Sequence, residues 1–244
     1  MSHSSLAALR GEPSYLWRAG QARRLAMLAQ WLNTAPDARW LVDGCGNGMY
    51  AAQIRQRFTP HVEALDIELE RVAEAQSATP HALVGAAEAL PYPSNHFDSV
   101  LSHEVIEHVQ DDRRAAQEIM RVLKPGGRVG LFAPNRWYPF ETHGHYWRGE
   151  YHFGNTPLIN YLPDAIRNQL APHVRAYTQR GLLALFAGTP HKLIHASRVY
   201  GGYDNLIRRF GALAETVRNR LYQLEGTPLD VWGLSHWIVI EKLA

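Results

Sequence analysis

The chain has 244 residues, 46% hydrophobic and 20% charged, with a formal net charge of +2 when histidine is neutral. That balance fits one globular domain and offers neither an apolar run long enough to span a bilayer nor the strong positive field of a nucleic-acid binder. The single cysteine, Cys45, excludes an internal disulfide framework and fits a reducing, cytoplasmic compartment, and residues 1–10 lack the basic start and apolar core of a secretory signal.

Residues 15–32 place Leu16, Ala19, Leu25, Leu28 and Leu32 at helical spacing, with Asn33 and Pro36 marking the end. Trp40-Leu41-Val42 reads as a buried strand. It ends in Asp43, and Gly44, Gly46 and Gly48 then let the chain turn sharply into a helix that begins near Met49-Tyr50-Ala51 and is closed by Pro60. A second strand over 62–66 again ends in an acid, Asp66. There follow a helix over 70–76, a short strand over 81–85, a turn-rich stretch at 91–95 and a fourth strand over 97–102. Residues 111–123 predict a helix ended by Lys124-Pro125-Gly126-Gly127, and 128–133 a fifth strand. From Pro134 to about His173 the alternation breaks into aromatic, His, Gly and Pro residues, too long for an ordinary connection, and an inserted cap is expected. Regularity resumes with a helix near 182–186, a strand near 193–199, a helix over about 203–221 and a last strand at 237–240. Strands alternating with helices at this spacing imply a parallel sheet covered on both faces, with ligand at the C-terminal strand ends.

The glycine turn departs from a dinucleotide fingerprint, G-x-G-x-x-G. Its third glycine comes one residue early, and Met49 stands where that pattern wants glycine. Asp43 would repel a diphosphate and attract a ligand carrying an ammonium and a sulfonium, which is S-adenosylmethionine. Asp66, twenty residues after Gly46, ends the second strand where such a sheet presents a carboxylate to ribose hydroxyls.

Asp43, the glycines and Asp66 are followed by Gly85-Ala86-Ala87-Glu88-Ala89-Leu90-Pro91 and by Leu123-Lys124-Pro125-Gly126-Gly127. Together, over roughly residues 40–134, they resemble the class I S-adenosylmethionine-dependent methyltransferases, in particular small-molecule enzymes similar to those of ubiquinone and menaquinone pathways. The resemblance implies an α/β fold with a doubly wound, seven-stranded, mostly parallel Rossmann-like sheet, one domain over 1–244 with residues 134–173 as its cap, and S-adenosylmethionine as cofactor. It also implies cofactor contacts from Asp43, Gly44, Cys45, Gly46, Asp66, Ile67, Ala87, Glu88 and Ser102. One position departs from the family. The loop after the third strand usually begins Gly-Asp-Ala, the Asp accepting from the adenine amino group, and Ala86 stands there instead. Ala87 N–H is then a candidate partner for a ring nitrogen, and Glu88 is either the replacement acceptor or a solvated loop acid.

Methyl transfer is an in-line displacement with a neutral thioether leaving group, so the protein chiefly positions the reactants, and a base is needed only where the acceptor must lose a proton. Candidate bases are His103, after the fourth strand, and His143 and His145 in the cap. His103 reads also as a cofactor contact, and against both roles stands the reading of a packed loop histidine. The segment from Trp137 to Trp147 concentrates rings and imidazoles as an acceptor pocket needs, or as a cluster that seals the cap. His103-Glu104-Val105-Ile106-Glu107-His108 fails as a zinc-protease motif because Glu107 stands where histidine is required. Glu104, Glu107 and His108 resemble a metal-binding triplet of ubiquinone-pathway and small-RNA 2′-O-methyltransferases, but the same letters occur in metal-free relatives, and no metal is assigned. Arg23-Arg24, Arg113-Arg114 and Arg208-Arg209 are scattered pairs that read as solvated faces, so no nucleic-acid partner is expected. The sequence thus points to methylation of a small-molecule or lipid-like acceptor, at oxygen. Its competitors are an RNA methyltransferase and a non-catalytic scaffold that keeps the fold.

Overall fold

The computed structural model describes residues 17–244; residues 1–10, read above for a signal, and the first residues of the expected 15–32 helix lie outside them. In chain order the elements are α1 (Ala19–Trp31), β1 (Trp40–Asp43), α2 (Met49–Arg57), β2 (Val62–Asp66), α3 (Leu69–Ala75), β3 (Ala82–Val84), β4 (Phe97–His103), α4 (Asp112–Val122) and β5 (Leu123–Pro134). Then come β6 (Phe140–Glu141), β7 (His145–Trp147), β8 (Glu150–His152), β9 (Thr156–Pro157), α5 (Asp164–Leu170), α6 (Gln179–Ala184), β10 (His191–Val199), α7 (Asp204–Phe210), α8 (Ala212–Gln223) and β11 (Ser235–Lys242).

Every residue of β1 is buried, which is why its apolar letters run on continuously and do not alternate. It pairs in parallel with β2 on one side and β4 on the other, setting Asp43 opposite both Leu65 and Ser102. β3 joins β2 and β5 joins β4, again in parallel. The sheet has seven strands, as expected from the sequence, and their order is β10-β11-β5-β4-β1-β2-β3. Order reverses between β1 and β4, and an open α/β sheet binds its ligand in the crevice beyond the strand ends at such a point. Trp40, Phe97, Phe132, Leu25, Leu28, Leu41, Ile54, Leu65 and Leu101 form the core around it, each under 2% exposed.

Two expected boundaries shift for physical reasons. The Lys124-Pro125-Gly126-Gly127 turn lies inside β5. Leu123 pairs with Phe97 and Arg128 with Ser99, so the residues between them bulge out of the ladder. Gly126 has φ +79°, and a Cβ on Gly127 would meet the Lys124 and Phe97 carbonyls. Lys124 closes the bulge by reaching both oxygens of Asp98 at 2.8 Å. The helix expected over 203–221 is two helices, broken at Gly211, whose φ of 56° and ψ of −136° are open essentially to glycine alone.

The described residues group into two compact units, one of residues 17–132, 182–196 and 238–244, and one of 133–181 and 197–237. The stretch expected as a cap over 134–173 is therefore part of a larger unit that also takes in α7 and α8. Within that unit β7 and β8 pair as a hairpin around Arg148 and Gly149, both at positive φ, the signature of a two-residue turn that matches strand twist. β6 pairs antiparallel with β9. Arg167 of α5 is 1% exposed and donates to Asn160 Oδ1, the Val174 carbonyl and Glu141 Oε2.

The loop after β3 is tied to α4 by a buried acid. Glu118 accepts from the Leu90 N–H at 3.0 Å and from the Arg121 guanidinium at 2.8 Å, while Arg121 also donates to the carbonyls of Leu90 and Tyr92. Asp111 caps the helix through the Arg114 N–H. Glu118→Ala, which strands both a buried N–H and a guanidinium, is expected to cost about 3 kcal/mol in chemical denaturation, against about 1 kcal/mol for the exposed cap change Asp111→Ala.

Candidate functional site

The turn after β1 is built on glycine backbone. Gly44, Gly46 and Gly48 all have positive φ, at 65°, 54° and 82°. A Cβ on Gly44 would run into Val105, and one on Gly48 would press on the Ala75 backbone at 3.0 Å. Cys45 between them donates its N–H to the Leu65 carbonyl at 2.8 Å, tying the turn to the end of β2. Its thiol is buried and pushed up to about 12, by burial first and then by Asp66, so it fills space and does not act as a nucleophile.

Two carboxylates face this turn. Asp43 is 1% exposed; Ser102 Oγ donates to its Oδ2 at 3.2 Å, and Oδ1 has no hydrogen-bond partner among the described residues. Burial raises its pKa to about 7, opposed by the Ser102 bond and reinforced by Asp66 and Glu88. A buried acid with an unpartnered oxygen fits a cationic ligand group that donates hydrogen bonds. Asp66 is fixed from two sides, Oδ2 accepting from the Gly46 N–H at 2.9 Å and Oδ1 from the Glu68 N–H at 3.0 Å. Each oxygen keeps a lone pair, the arrangement two ribose hydroxyls need. Ile67, next in the chain, is half exposed at 49% and offers apolar surface at the end of β2.

The loop after β3 resolves one ambiguity of the sequence. Ala86 precedes a single 3-10 turn, Ala87–Ala89, with Ala87 buried. Glu88 is no free solvated acid. Its Oε1 accepts from the backbone N–H of Gln110 at 2.7 Å and of Asp111 at 3.4 Å, anchoring the loop to the start of α4. Only the other oxygen remains as an acceptor for a base.

His103 ends β4 beside Tyr50 and Arg24, and the bond from Arg24 corrects the reading of that arginine as one of a solvated pair. The His103 Nε2 accepts from Arg24 Nη1 at 2.8 Å. The Arg24 guanidinium also stands 5.3 Å from the centre of the Phe132 ring, and the Tyr50 ring lies 5.0 Å from the imidazole. Burial, then the Arg24 charge, lowers the His103 pKa to about 3. A neutral imidazole whose lone pair is already taken is poorly set to act as a general base. Tyr50 was within reach of sequence reasoning, since it stands at the helix start just beyond the glycines. Arg24 carried no signal, because its contact with His103 spans 79 positions.

The other candidate histidines belong to the second unit. Glu141 Oε1 accepts from the His143 backbone N–H at 3.0 Å and lies 3.2 Å from its Nδ1, while Oε2 accepts from Arg167 at 2.8 Å. Burial works against the charge on Glu141, yet the hydrogen bonds and charge of His143 and the Arg167 guanidinium hold its pKa down to about 2. A carboxylate kept ionised beside Nδ1 favours the tautomer with the proton there and the lone pair on Nε2. His145 sits 3.0 Å from Thr156 Oγ1 and stacks on His152. Burial and then His152 lower its pKa. Glu141 and Arg167 are the residues missed in this unit. The Glu-x-His spacing was visible in the sequence, the distant arginine was not.

Residues 41–131 match the family model described as a methyltransferase domain. An uncharacterised methyltransferase of Mycobacterium bovis is 36% identical over 124 residues, covering 50% of this chain and 46% of that protein. The 2-methyl-6-phytyl-1,4-hydroquinone methyltransferase of Synechocystis is 34% identical over 108 residues, covering 41% of this chain and 34% of that protein. The chain thus spans less than half the length of these curated relatives. The crystal structure of an S-adenosylmethionine-dependent methyltransferase from Mesorhizobium loti is 18% identical and superposes with a TM-score of 0.64, covering 92% of this chain and 98% of that one, which shows a shared fold.

If it is the ionised form of Asp43 that receives a ligand's ammonium, affinity for S-adenosylhomocysteine is expected to rise with pH up to about 7. The slope approaches tenfold per pH unit on the acid side, read by calorimetry from about pH 5 to 7.5. Asp43→Asn flattens that profile and weakens binding throughout. His103 is expected to show no imidazole titration by NMR between about pH 5 and 8, and Arg24→Ala to move its midpoint upward.

Proposed function

We propose that this chain, whose residues 41–131 match the family model described as a methyltransferase domain, is a class I S-adenosylmethionine-dependent enzyme that transfers a methyl group to a small-molecule or lipid-like acceptor at oxygen. The observation that carries the reading is the buried Asp43 carboxylate, with one oxygen unpartnered among the described residues, at the end of a strand flanking the switch point. S-adenosylmethionine, when bound, supplies a methyl carbon already activated by a sulfonium and leaves as a neutral thioether. Asp43 receives its ammonium, Asp66 its ribose hydroxyls, and Ile67 and the Ala87 N–H its adenine. Gly44, Cys45 and Gly46 let the backbone come close. Positioning of this kind supplies several kcal/mol by orientation alone, on the order of 7–11 in well-aligned cases.

The acceptor class is inferred from two supports. The matched hydroquinone methyltransferase bears the name of a phytylated quinol, and the segment from Trp137 to Trp147 is rich in rings and imidazoles. A hydroxyl acceptor must lose its proton, and we assign its removal to His143. Among the three histidines proposed as bases, it alone has a carboxylate, Glu141, at its Nδ1. Glu141 is a positioning residue in this scheme and Arg167 supports it. His145 is assigned to lining the acceptor.

Purified protein incubated with methyl-labelled S-adenosylmethionine and a panel of phenols, quinols, glycosides and amines is expected to label hydroxyl-bearing members. An entirely unlabelled panel would remove the small-molecule reading, and an absence of S-adenosylhomocysteine binding would remove the enzyme reading. His143→Ala is expected to lower kcat about 10²–10⁴-fold with cofactor affinity unchanged. Glu141→Gln should give a smaller loss and move the pH profile of kcat.

A further inference from the structure

The helices α7 and α8 bury none of their residues. Helices this short are marginal in water and normally owe their stability to packing of an apolar face. Both carry such a face. Leu206 and Phe210 lie one turn apart on α7 and are 49% and 54% exposed; Leu213 and Val217 lie one turn apart on α8 and are 72% and 53% exposed.

The charges around those faces are mainly positive. Arg208, Arg209, Arg218 and Arg220 stand against Asp204 and Glu215. Glu215 is taken by Arg218 at 2.9 Å, and among the described residues Arg208, Arg209 and Arg220 have no carboxylate partner. Arg208 and Arg220 bond only to the side-chain amides of Asn205 and Gln223. Arg209 lies with its guanidinium 5.3 Å from the Phe210 ring centre, a long stem over an apolar side chain with a charged tip.

We infer that α7 and α8 form a docking face for an anionic phospholipid surface. The complementarity is of two kinds at once. Exposed leucine, phenylalanine and valine match the acyl boundary, and flexible arginines reach the headgroup phosphates. Among the described residues no helix is long and apolar enough to cross a membrane, so the contact proposed is adsorption in the interface. It concerns residues outside the cofactor turn and does not depend on methyl transfer.

Co-sedimentation of the full chain with vesicles tests it without any cofactor. Binding to phosphatidylcholine vesicles carrying about 30% phosphatidylglycerol is expected to exceed binding to pure phosphatidylcholine by at least about tenfold, and to fall as salt screens the charge. Arg208→Glu with Arg209→Glu, and separately Leu213→Asp with Val217→Asp, are each expected to lower binding at least about tenfold, with thermal unfolding unchanged because all four side chains are exposed. No binding, or equal binding to both vesicle types, overturns the inference. So does a self-association, seen by sedimentation velocity, that these variants abolish in the absence of vesicle binding; that result gives the face to a second copy of the chain. Vesicle binding with an unlabelled acceptor panel leaves this inference standing and removes the small-molecule reading alone.

Discussion

Asp43 is a carboxylate held out of water at the end of a strand with no exposed residue, one oxygen bonded to Ser102 and the other without a partner among the described residues. Keeping it ionised there costs on the order of a few kcal/mol, which is what its raised pKa expresses. Burial so expensive is tolerated where a ligand offsets it. The neighbouring structure follows from that demand. The backbone beside the acid has to turn without side chains, so three residues at positive φ are glycines. The second acid, Asp66, cannot lean on the first without repulsion, and two backbone N–H groups hold it. Ser102 reaches Asp43 because parallel pairing sets the ends of β1 and β4 opposite each other.

What was legible in the sequence was local in the chain. β1, the glycine turn and Asp66 were read from runs of a few letters, because a strand buried on both faces and a turn at positive φ each constrain composition directly. Three features were illegible for three different reasons. The Arg24–His103 bond joins positions 79 apart, and nothing in the letters around Arg24 distinguishes it from a solvated arginine. The Lys124–Gly127 segment has the composition of a turn in either setting; only the pairing of Leu123 with Phe97 and Arg128 with Ser99 makes it a bulge within a strand. Gly211 lies in a run of helix formers whose total propensity favours continuity, and its backbone angles decide for a break.

The second unit illustrates how a polar network can be both scaffold and chemistry. Glu141 and Arg167 are almost fully buried, and an isolated buried charge of either sign would be prohibitive. Each is satisfied, Glu141 by His143 and Arg167, Arg167 by Asn160 and the Val174 carbonyl. Asn160 in turn donates to the carbonyls of Tyr138 and Phe140. The irregular stretches between the short ladders and α5 from 138 to 174 are thus pinned by side chains as well. The same pinning fixes the ring of His143.

The guanidinium beside the candidate cofactor turn has its own logic. A cationic ligand at Asp43 is attracted by that acid and repelled by any positive charge nearby, and His103 directly follows Ser102, the residue bonded to the acid. A histidine free to protonate there would oppose the ligand at the mildly acidic pH where Asp43 is also losing its charge, and the two effects would compound. Burial, and after it the charge of Arg24, prevents this. The Arg24 charge is spread over the Phe132 face and directed into the imidazole Nε2, and the two together keep His103 neutral far below the ordinary histidine range. One fixed cation, held by an aromatic ring and a lone pair, therefore helps burial to remove a second, titratable one from a position closer to the acid in the chain.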